Sequence, residues 1–464
     1  MKADSLRSRW FLAVAPLSIV ILFVLTQFDF VPLRPGGTVE DLTSLKERDD
    51  VNVLFILIDT LRADRLSCYG YERETSPNID ALARNGIRFA NHRSQSSWTK
   101  ASMASLWTSL YPARTGVLRY SHAIPEEAMM PAEVLREAGF RTAAIWRNGW
   151  VAPNFGFAQG FEFYTRPVSK NLPREARREN PAVKLPGSDL DVARSAEEFM
   201  RTLERDERWF LYLHLMDVHQ YVSDLESARF GTTYSDFYDN AIHWTDRIIG
   251  SIVDTLRRRR LLDRTIVVIA SDHGEAFLEH GTEGHARNVY GEVTRTPLIV
   301  SLPFSLEEGI VVETPSQNVD IWPTLLELLD GTPQPESDGR SLVADIRWAA
   351  KGRQSTGEER LQVSHLDGTW GRMNQSPYQI IGIAKGRYRG ISNNGDDELF
   401  ELYDLETDPD EQHDLSDVLV EKASEFRSWV REYENTLDSP WGAREIEVDD
   451  MLLNQLRALG YQIE

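Results

Sequence analysis

The sequence contains a series of short, continuous apolar runs separated by amphipathic segments. Such runs are typical of strands buried on both faces of a sheet. The predicted strands are Val51–Ile58, Thr142–Trp146, Trp209–Met216, Thr265–Ser271 and Pro297–Leu302. Helical spacing predicts helices at Pro77–Asn85, Pro125–Ala138, Asp236–Arg260 and Gln317–Leu329. This alternation predicts an α/β fold, with a mainly parallel sheet between helices.

The pattern changes in the last quarter of the chain. Short strand-like segments are followed there by two amphipathic stretches, which predicts a smaller C-terminal α+β subdomain. The predicted strands are Gln379–Ala384, Tyr388–Ser392 and Glu398–Tyr403, and the helices lie near Val418–Leu437 and Val448–Leu459.

The N-terminus contains a different kind of segment. Residues 10–28 are nineteen uncharged residues in a row, preceded by Lys2, Arg7 and Arg9 and followed by Asp29. A helix of that length spans about 28 Å, close to the thickness of a bilayer core. The positive-inside rule places the short N-terminus in the cytoplasm and the rest of the chain outside it. A cleaved signal peptide is the alternative interpretation.

These patterns give a domain organisation. We expect a cytoplasmic N-terminus at 1–9, a transmembrane signal anchor at 10–28, a linker at 29–50, the main α/β domain at 51–345 and the C-terminal subdomain at 346–464.

Composition narrows the function classes. The chain has 72 acidic and 51 basic residues and a net charge of −21, which argues against a nucleic-acid partner. With 41% apolar and 27% charged residues, it is globular rather than disordered. Cys68 is the single cysteine, so neither an intrachain disulfide nor a cysteine-rich metal site can form.

Ligand-type residues follow several of the predicted strands. Asp59 follows the first strand, and Asp272 and His273 follow the fourth. Ligands of open α/β sheets bind at the carboxyl ends of the strands, so these three side chains form a plausible site for one divalent metal ion. The imidazole favours manganese or zinc over calcium. A single aspartate at such a position is also a common helix N-cap, so the prediction depends on the whole set.

Thr99 lies at the start of a predicted helix, Lys100–Leu110. On position alone it is either an N-cap or a functional hydroxyl. The helix dipole and its free N–H groups stabilise anions at this end, and a nearby metal ion lowers the pKa of a hydroxyl. Thr99 is therefore a candidate nucleophile.

Several segments together resemble the sulfatase branch of the alkaline phosphatase superfamily, in the family's order from about residue 50 to about residue 420. They read IDTLRADRLSCYGY (58–71), TSPNIDALARNGIRF (75–89), SWTKASMASLWTSLYPARTGV (97–117), LYLHLMDVHQY (211–221), SDHGEAFLEHGTEGH (271–285), NVDIWPTLLELL (318–329) and LYDLETDPDEQHDLS (402–416).

The resemblance implies roles for individual residues. Asp59, Asp272 and His273 match metal ligands, and Thr99, a further candidate ligand, falls at the nucleophile position. His219 and His285 match groups that contact the ester or the leaving group. Arg62, Asn148 and His280 are predicted to bind substrate.

The chain also departs from the family pattern. Sulfatases commonly carry Cys or Ser in a C/S-x-P-x-R motif that is oxidised to formylglycine. Here the stretch 99–103 reads TKASM, so no formylglycine is expected. Thr60 stands where the family often has a second aspartate, and His273 replaces the asparagine of calcium sulfatases.

The sequence therefore predicts a membrane-anchored, metal-dependent hydrolase or transferase with its catalytic domain outside the cytoplasm. Through a Thr nucleophile, it would act on phosphoesters, diesters in particular, or on sulfate esters. The substrate would be an anionic ester of a glycan, a lipid headgroup or a small molecule. Two alternatives stay open: a true sulfatase without formylglycine, and a non-catalytic domain that binds anionic glycans or lipid headgroups.

Overall fold

The computed structural model describes residues 34–167, 169, 187–353, 360–372, 375–435 and 438–448. The predicted anchor (10–28) and nearly all of the predicted helix Val448–Leu459 lie outside these residues. Among the described helices, none combines the length and apolar character needed to cross a bilayer.

An eight-stranded sheet forms the centre of the main domain. The strands of the described chain are β1 (Gly36–Gly37), β2 (Asn52–Ile58), β3 (Ile87–Phe89), β4 (His92–Arg93), β5 (His122–Ala123), β6 (Arg141–Ile145), β7 (Phe163–Thr165), β8 (Trp209–Leu215), β9 (Thr265–Ala270), β10 (Ala276–Phe277), β11 (Glu283–Gly284), β12 (Leu298–Ser301), β13 (Ser305–Leu306), β14 (Ile310–Val312), β15 (Ser316–Gln317), β16 (Gln362–Asp367), β17 (Gln379–Lys385), β18 (Tyr388–Asn393), β19 (Asp396–Asp404) and β20 (Arg444–Glu445). The strands of the central sheet lie in the order β14-β3-β12-β9-β2-β8-β6-β7.

Strands β9, β2, β8, β6 and β7 run parallel, and β12 is antiparallel to both of its neighbours. Every residue of β2 and β8 is buried, as the continuous apolar runs predicted. The prediction of a mainly parallel sheet between helices is therefore confirmed. The antiparallel strand β12 was not distinguishable from its apolar pattern.

Helices cover both faces of this sheet. They are α1 (Pro77–Arg84), α2 (Thr99–Thr108), α3 (Pro112–Thr115), α4 (Pro131–Glu137), α5 (Asp189–Thr202), α6 (Tyr234–Arg258), α7 (Gly291–Thr294), α8 (Ile321–Leu328), α9 (Val343–Ala349) and α10 (Val420–Asn435). Short 3₁₀ helices lie at Val39–Leu42, Ser44–Glu47, Ala63–Arg65, Ser67–Tyr69, Gly149–Val151, Pro153–Phe155, Leu262–Arg264 and Asn318–Asp320. One apolar cluster on each face packs the helices against the sheet.

Two predicted elements need correction. The helix predicted at Pro125–Ala138 is shorter, because Met130 has extended backbone (φ −93°, ψ 145°), as a residue before proline prefers, and the helix begins at Pro131. The predicted linker 29–50 is not a free linker in its described part. Leu42 and Leu45 are buried there in the core of the main domain.

The C-terminal subdomain contains a four-stranded antiparallel sheet, β16-β17-β18-β19, covered by α10. Three of its strands were predicted. Strand β16 was missed because its sequence, QVSHLD, is largely polar although every residue is buried.

Candidate active site

The carboxyl ends of adjacent parallel strands bring the predicted ligands together. Asp59 directly follows β2, and Asp272 and His273 follow its neighbour β9. Asn148 follows β6, two strands away on the other side. The Asp59 N–H donates to the Leu215 carbonyl at the end of β8 (3.0 Å), which fixes the turn that carries the carboxylate.

Three buried side chains form a group suited to a cation. The ligand atoms of Asp59, Asp272 and His273 lie within 4.8 Å of one another. Among the described residues, Asp59 Oδ1 and Asp272 Oδ2 are buried carboxylate oxygens without a hydrogen-bond donor. His273 Nδ1 donates to the Gly274 carbonyl (2.9 Å), so Nε2 carries the lone pair. Two carboxylate oxygens and one imidazole nitrogen fit a divalent metal ion.

The second oxygen of Asp59 is held in place. Asp59 Oδ2 accepts hydrogen bonds from His214 Nε2 (2.9 Å) and Asn148 Nδ2 (2.7 Å). The Tyr212 hydroxyl donates to His214 Nδ1 (2.7 Å), which fixes the histidine tautomer. Burial alone would raise the pKa of Asp59, but His219, the His214 hydrogen bond and the other imidazoles hold that pKa well below its usual range. Burial and the Asp59 charge raise the pKa of Asp272.

Thr99 is the first residue of α2, and Trp98 occupies the cap position. The helix thus begins one residue before the predicted start. Thr99 Oγ1 lies 3.1 Å from His273 Nε2 and 3.3 Å from Asn148 Nδ2. The hydroxyl therefore adjoins the metal-type group.

A second hydroxyl on α2, that of Ser102, makes a structural contact. Its Oγ donates to the Asp272 carbonyl (2.6 Å), which docks α2 on the loop that carries the ligands. Ser102 is thus a structural contact.

His219 and His285 lie beside this group with Glu275. The His285 ring centroid is 4.5 Å from that of His273 and 5.0 Å from that of His219. His285 Nδ1 is 3.3 Å from Glu275 Oε1. Burial lowers the pKa of His219 to about 4. Burial opposes protonation of His285, but Glu275, together with the charges of Asp59 and Asp272, raises the pKa of His285.

Arg62 and His280 are both held by acidic side chains. The Arg62 guanidinium pairs with Asp64 (2.7 Å) and Glu279 (2.5 Å). His280 donates to Glu292 (2.9 Å) and to the Glu411 carbonyl (2.8 Å), which ties its loop to the C-terminal subdomain. Their role in substrate binding stays a prediction.

Several residues that support the site were not among the predicted site residues. His214, within the apolar run WFLYLHL, orients Asp59, and a lone histidine at that inward position was the available signal. Arg147 forms ion pairs with Asp189 and Asp217 and contacts Gln220 Oε1 (2.8 Å). This buried network joins the turn of Asn148 to the loop of His219.

A cleft of about 580 Å³ opens over His219, His285 and Glu275. Its outer lining includes Tyr221, Tyr234, Arg287, Trp370 and Arg372. This volume is within the range of ~300–1,000 Å³ that is typical of small-molecule sites.

Comparison with known families decides the class of protein. The family model described as Sulfatase matches residues 51–332, more than half of the chain. The chain belongs to the sulfatase family. A second model, described as N-sulphoglucosamine sulphohydrolase, C-terminal, matches residues 279–432. The predicted family and the ester hydrolase class are thereby confirmed. Sulfatases are metal-dependent, in agreement with the group at Asp59, Asp272 and His273.

Similar curated proteins cover nearly the whole chain. The ulvan-active sulfatase of Formosa agariphila is 25% identical over 469 residues, covering 90% of this chain and 89% of that protein. The N-acetylgalactosamine-6-O-sulfatase of Bacteroides thetaiotaomicron is 25% identical over 524 residues, covering 88% of this chain and 98% of that protein.

Solved structures share the fold of this sulfatase-family chain. The phosphonate monoester hydrolase of Agrobacterium radiobacter superposes with a TM-score of 0.63 at 19% identity, covering 86% of this chain and 100% of that one. The structure of BT4656 with its substrate D-glucosamine-2-N,6-O-disulfate gives a TM-score of 0.66 at 18% identity, covering 83% and 97%.

Proposed function

We propose that this sulfatase-family protein hydrolyses a monoanionic ester, a sulfate monoester or a phosphodiester, with Thr99 as the nucleophile. The proposal depends on the position of Thr99 Oγ1, which lies 3.1 Å from His273 Nε2. His273 belongs to the same group as Asp59 Oδ1 and Asp272 Oδ2, the two carboxylate oxygens that accept no hydrogen bond. Asp59, Asp272 and His273 would hold one divalent ion. Such an ion supplies Lewis-acid stabilisation of negative charge at the reacting centre.

The other side chains have separate tasks in this scheme. The Thr99 hydroxyl gives up its proton to solvent, Thr99 Oγ1 attacks sulfur or phosphorus, and the bond to the leaving oxygen breaks. His285 donates a proton to that oxygen, because the Glu275 carboxylate favours the protonated imidazole. Asn148 holds the Thr99 oxygen through its amide. Water then attacks the same sulfur or phosphorus atom and gives a proton to the neutral His285. The bond to Thr99 Oγ1 breaks, and Thr99 takes a proton from solvent as the product leaves.

The charge of the site favours a monoanion over a dianion. The amine of Lys100, next to Thr99, points away and donates to the Tyr120 carbonyl (2.6 Å). Met103 stands where the family motif has arginine. A phosphate monoester, with two negative charges, would therefore find less compensation here than a sulfate monoester or a phosphodiester.

Two observations bear on the choice between sulfur and phosphorus. The curated relatives are named as sulfatases, which supports a sulfate ester. A threonine cannot form the aldehyde hydrate that expels sulfate in formylglycine enzymes, and this supports a phosphodiester. We expect phosphodiesters to be preferred, and a sulfatase that works through unmodified Thr99 is the second candidate.

A parallel assay tests the proposed function. Full-length protein loaded with manganese, zinc or calcium is offered 4-nitrophenyl sulfate, 4-nitrophenyl phosphate and bis(4-nitrophenyl) phosphate. We expect turnover of the two monoanionic esters to exceed that of the phosphate monoester, and a transient ester on the Thr99 peptide by mass spectrometry. Metal binding without turnover of any ester would instead support the non-catalytic alternative.

We also propose that residues 10–28 anchor the protein, with the catalytic domain outside the cytoplasm. The uncharged stretch and the preceding basic residues support this topology. The described chain enters beside β12, where Arg34 Nη1 donates to the Leu302 carbonyl (2.6 Å). Ser301 pairs there with Val267, toward the amino end of β9 and away from the carboxyl ends that carry the site. An anchor on that side would place the cleft away from the membrane, which would favour a glycan over a lipid headgroup. Protease protection of the catalytic domain in intact spheroplasts would contradict this topology.

A further inference from the structure

The outer wall of the cleft is built by a loop of the C-terminal subdomain and the segment after His285. Trp370 Nε1 donates to the Ala286 carbonyl (2.9 Å), and the Ala286 N–H donates to the Ser97 carbonyl (2.9 Å). Ser97 lies two residues before Thr99. This chain of hydrogen bonds fixes the position of the outer wall relative to the nucleophile.

Two arginines on this wall have no acidic partner. Among the described residues, neither Arg287 nor Arg372 has a carboxylate oxygen within 4.0 Å, in a chain whose net charge is −21. Arg372 Nε is buried and lacks a hydrogen-bond acceptor among those residues. The Arg372 guanidinium lies 4.7 Å from the Trp370 ring centroid, which holds it over the indole. The cleft also contains two carboxylates: Glu275, which pairs with His285, and Glu283, which is exposed.

The backbone of this wall is held in an unfavourable conformation. Trp370 has φ +55° and Ala286 has φ +58°, in the left-handed region that side chains with a Cβ rarely adopt. The Trp370 carbonyl accepts the Tyr120 N–H (2.8 Å), which helps to hold this conformation. Strained backbone of this kind concentrates at ligand sites.

The facing wall is aromatic. The ring centroids of Tyr221 and Tyr234 are 4.8 Å apart, and Tyr234 remains 42% exposed at the mouth of the cleft. Aromatic faces combine an apolar surface with a polar tip, which suits the mixed surface of a sugar ring. The lining of the cleft thus combines aromatic ring faces with two guanidinium groups that have no carboxylate partner among the described residues.

We propose that Arg287 and Arg372 form an anion subsite beside Trp370, so that the preferred substrate is a sugar ester with a second anionic group, a sulfate or a carboxylate, besides the reacting ester. This inference rests on the proposed function, because it places the leaving group in the same cleft. The guanidinium groups bind the second anion, and Tyr221 and Tyr234 contact the ring.

The test measures how strongly matched pairs of sugars inhibit turnover of whichever chromogenic ester is hydrolysed faster. One pair is glucosamine 6-sulfate and glucosamine 2-N,6-O-disulfate, which differ by a second sulfate. The other is a 6-sulfated disaccharide with glucuronate and its carboxyl-reduced form, which differ by a carboxylate. We expect the member with the second anion to inhibit at about tenfold lower concentration or less, because charge-assisted contacts to arginine are strong.

The variants Arg287→Gln and Arg372→Gln should each reduce this selectivity ratio about fivefold, since each removes one charged contact. Arg84→Gln, an exposed arginine outside the cleft, is the matched control and should keep the wild-type ratio. Higher salt should lower the ratio in wild type more than in the double variant.

A ratio unchanged in both single variants and in the double variant would overturn the subsite. A response to one sugar pair alone would identify sulfate or carboxylate as the second anion. If no chromogenic ester is turned over, the proposed function fails. Calorimetric titration of the same sugars into the metal-loaded protein then decides the subsite separately: a ratio that falls in the Arg287→Gln and Arg372→Gln variants supports it, and equal affinity within each pair overturns it.

Discussion

Replacement of Asp272 by asparagine should have opposite effects on stability with and without metal. Without metal, the ligand oxygens of Asp59 and Asp272 lie no more than 4.8 Å apart in a buried site. Two unit charges at that distance repel by about 3 kcal/mol at an effective dielectric constant of about 20. In Asp272→Asn, the amide oxygen can still accept the hydrogen bonds from the Thr60 and His273 N–H groups. The amide nitrogen can donate to His273 Nε2, which lies 3.3 Å from Asp272 Oδ2 in the wild-type structure.

The metal-free variant should therefore unfold at a higher temperature than metal-free wild type. At about 2 °C per kcal/mol for a domain of this size, the gain is up to about 6 °C. With metal at about 100 times its Kd, wild type gains about 2.7 kcal/mol, or about 5 °C, whereas the variant gains little. Manganese and zinc should give larger shifts than calcium, because His273 is a ligand.

Thermal unfolding of chelator-treated and metal-loaded protein measures both effects. Asp320→Asn is a matched control, because Asp320 is equally buried but pairs with Arg360 (2.8 Å). The control should lose stability in both conditions and keep the metal shift. A metal-free Asp272→Asn protein that is less stable than wild type, or that keeps the full metal shift, would refute the reasoning.

Three further outcomes follow from the contacts. Ser102→Ala should cost about 1 kcal/mol of stability while much of the turnover is retained, and a loss comparable to that of Thr99→Ala would show that Ser102 has a catalytic role. Burial lowers the pKa of His280, but its hydrogen bond to Glu292 outweighs this with other contacts and raises the pKa to about 9. The protonated imidazole therefore stabilises the folded state fully below the ordinary histidine pKa of about 6.5, and this stabilisation is lost as the pH rises through about 9. Urea unfolding of His280→Gln should therefore show a deficit on the order of 2 kcal/mol at pH 6 that vanishes near pH 10, and a pH-independent deficit would contradict this. Arg147→Met should lower the unfolding free energy by about 3–5 kcal/mol, because it leaves two buried carboxylates without their cation, and a loss below about 1 kcal/mol would show that the network is unimportant.

The central strands could be predicted because they are continuous runs of apolar residues, as expected for strands buried on both faces. The run Val51–Ile58 has no polar break except Asn52, whose amide side chain is satisfied by the Arg264 carbonyl (3.2 Å). Strand β16 gave no such signal, since its polar side chains are satisfied by distant partners. Ser364 Oγ, for example, donates to the Ser94 carbonyl (2.7 Å).

In the candidate site, too, some features could be predicted from the sequence and others depend on distant contacts. Asp59, Asp272 and His273 meet because parallel strands end at one edge, and the chain order alone predicts that. The direction of the Arg62 side chain is set by Asp64, two residues on, together with Glu279, more than 200 residues away, and the second of these contacts could not be predicted. The hydrogen bond from His214 to Asp59 requires a particular tautomer of His214, and only the contact of His214 Nδ1 with the Tyr212 hydroxyl shows which tautomer is present.

The turnover of Thr99→Ala in metal-saturated protein tests the central claim most directly. We expect a loss on the order of 10³-fold or more with bis(4-nitrophenyl) phosphate and with 4-nitrophenyl sulfate, as for removal of a nucleophile from a cooperative catalytic unit. The metal-induced shift in unfolding temperature should persist, since Asp59, Asp272 and His273 remain. Turnover within about tenfold of wild type would show that Thr99 only begins a helix, and would contradict the mechanism.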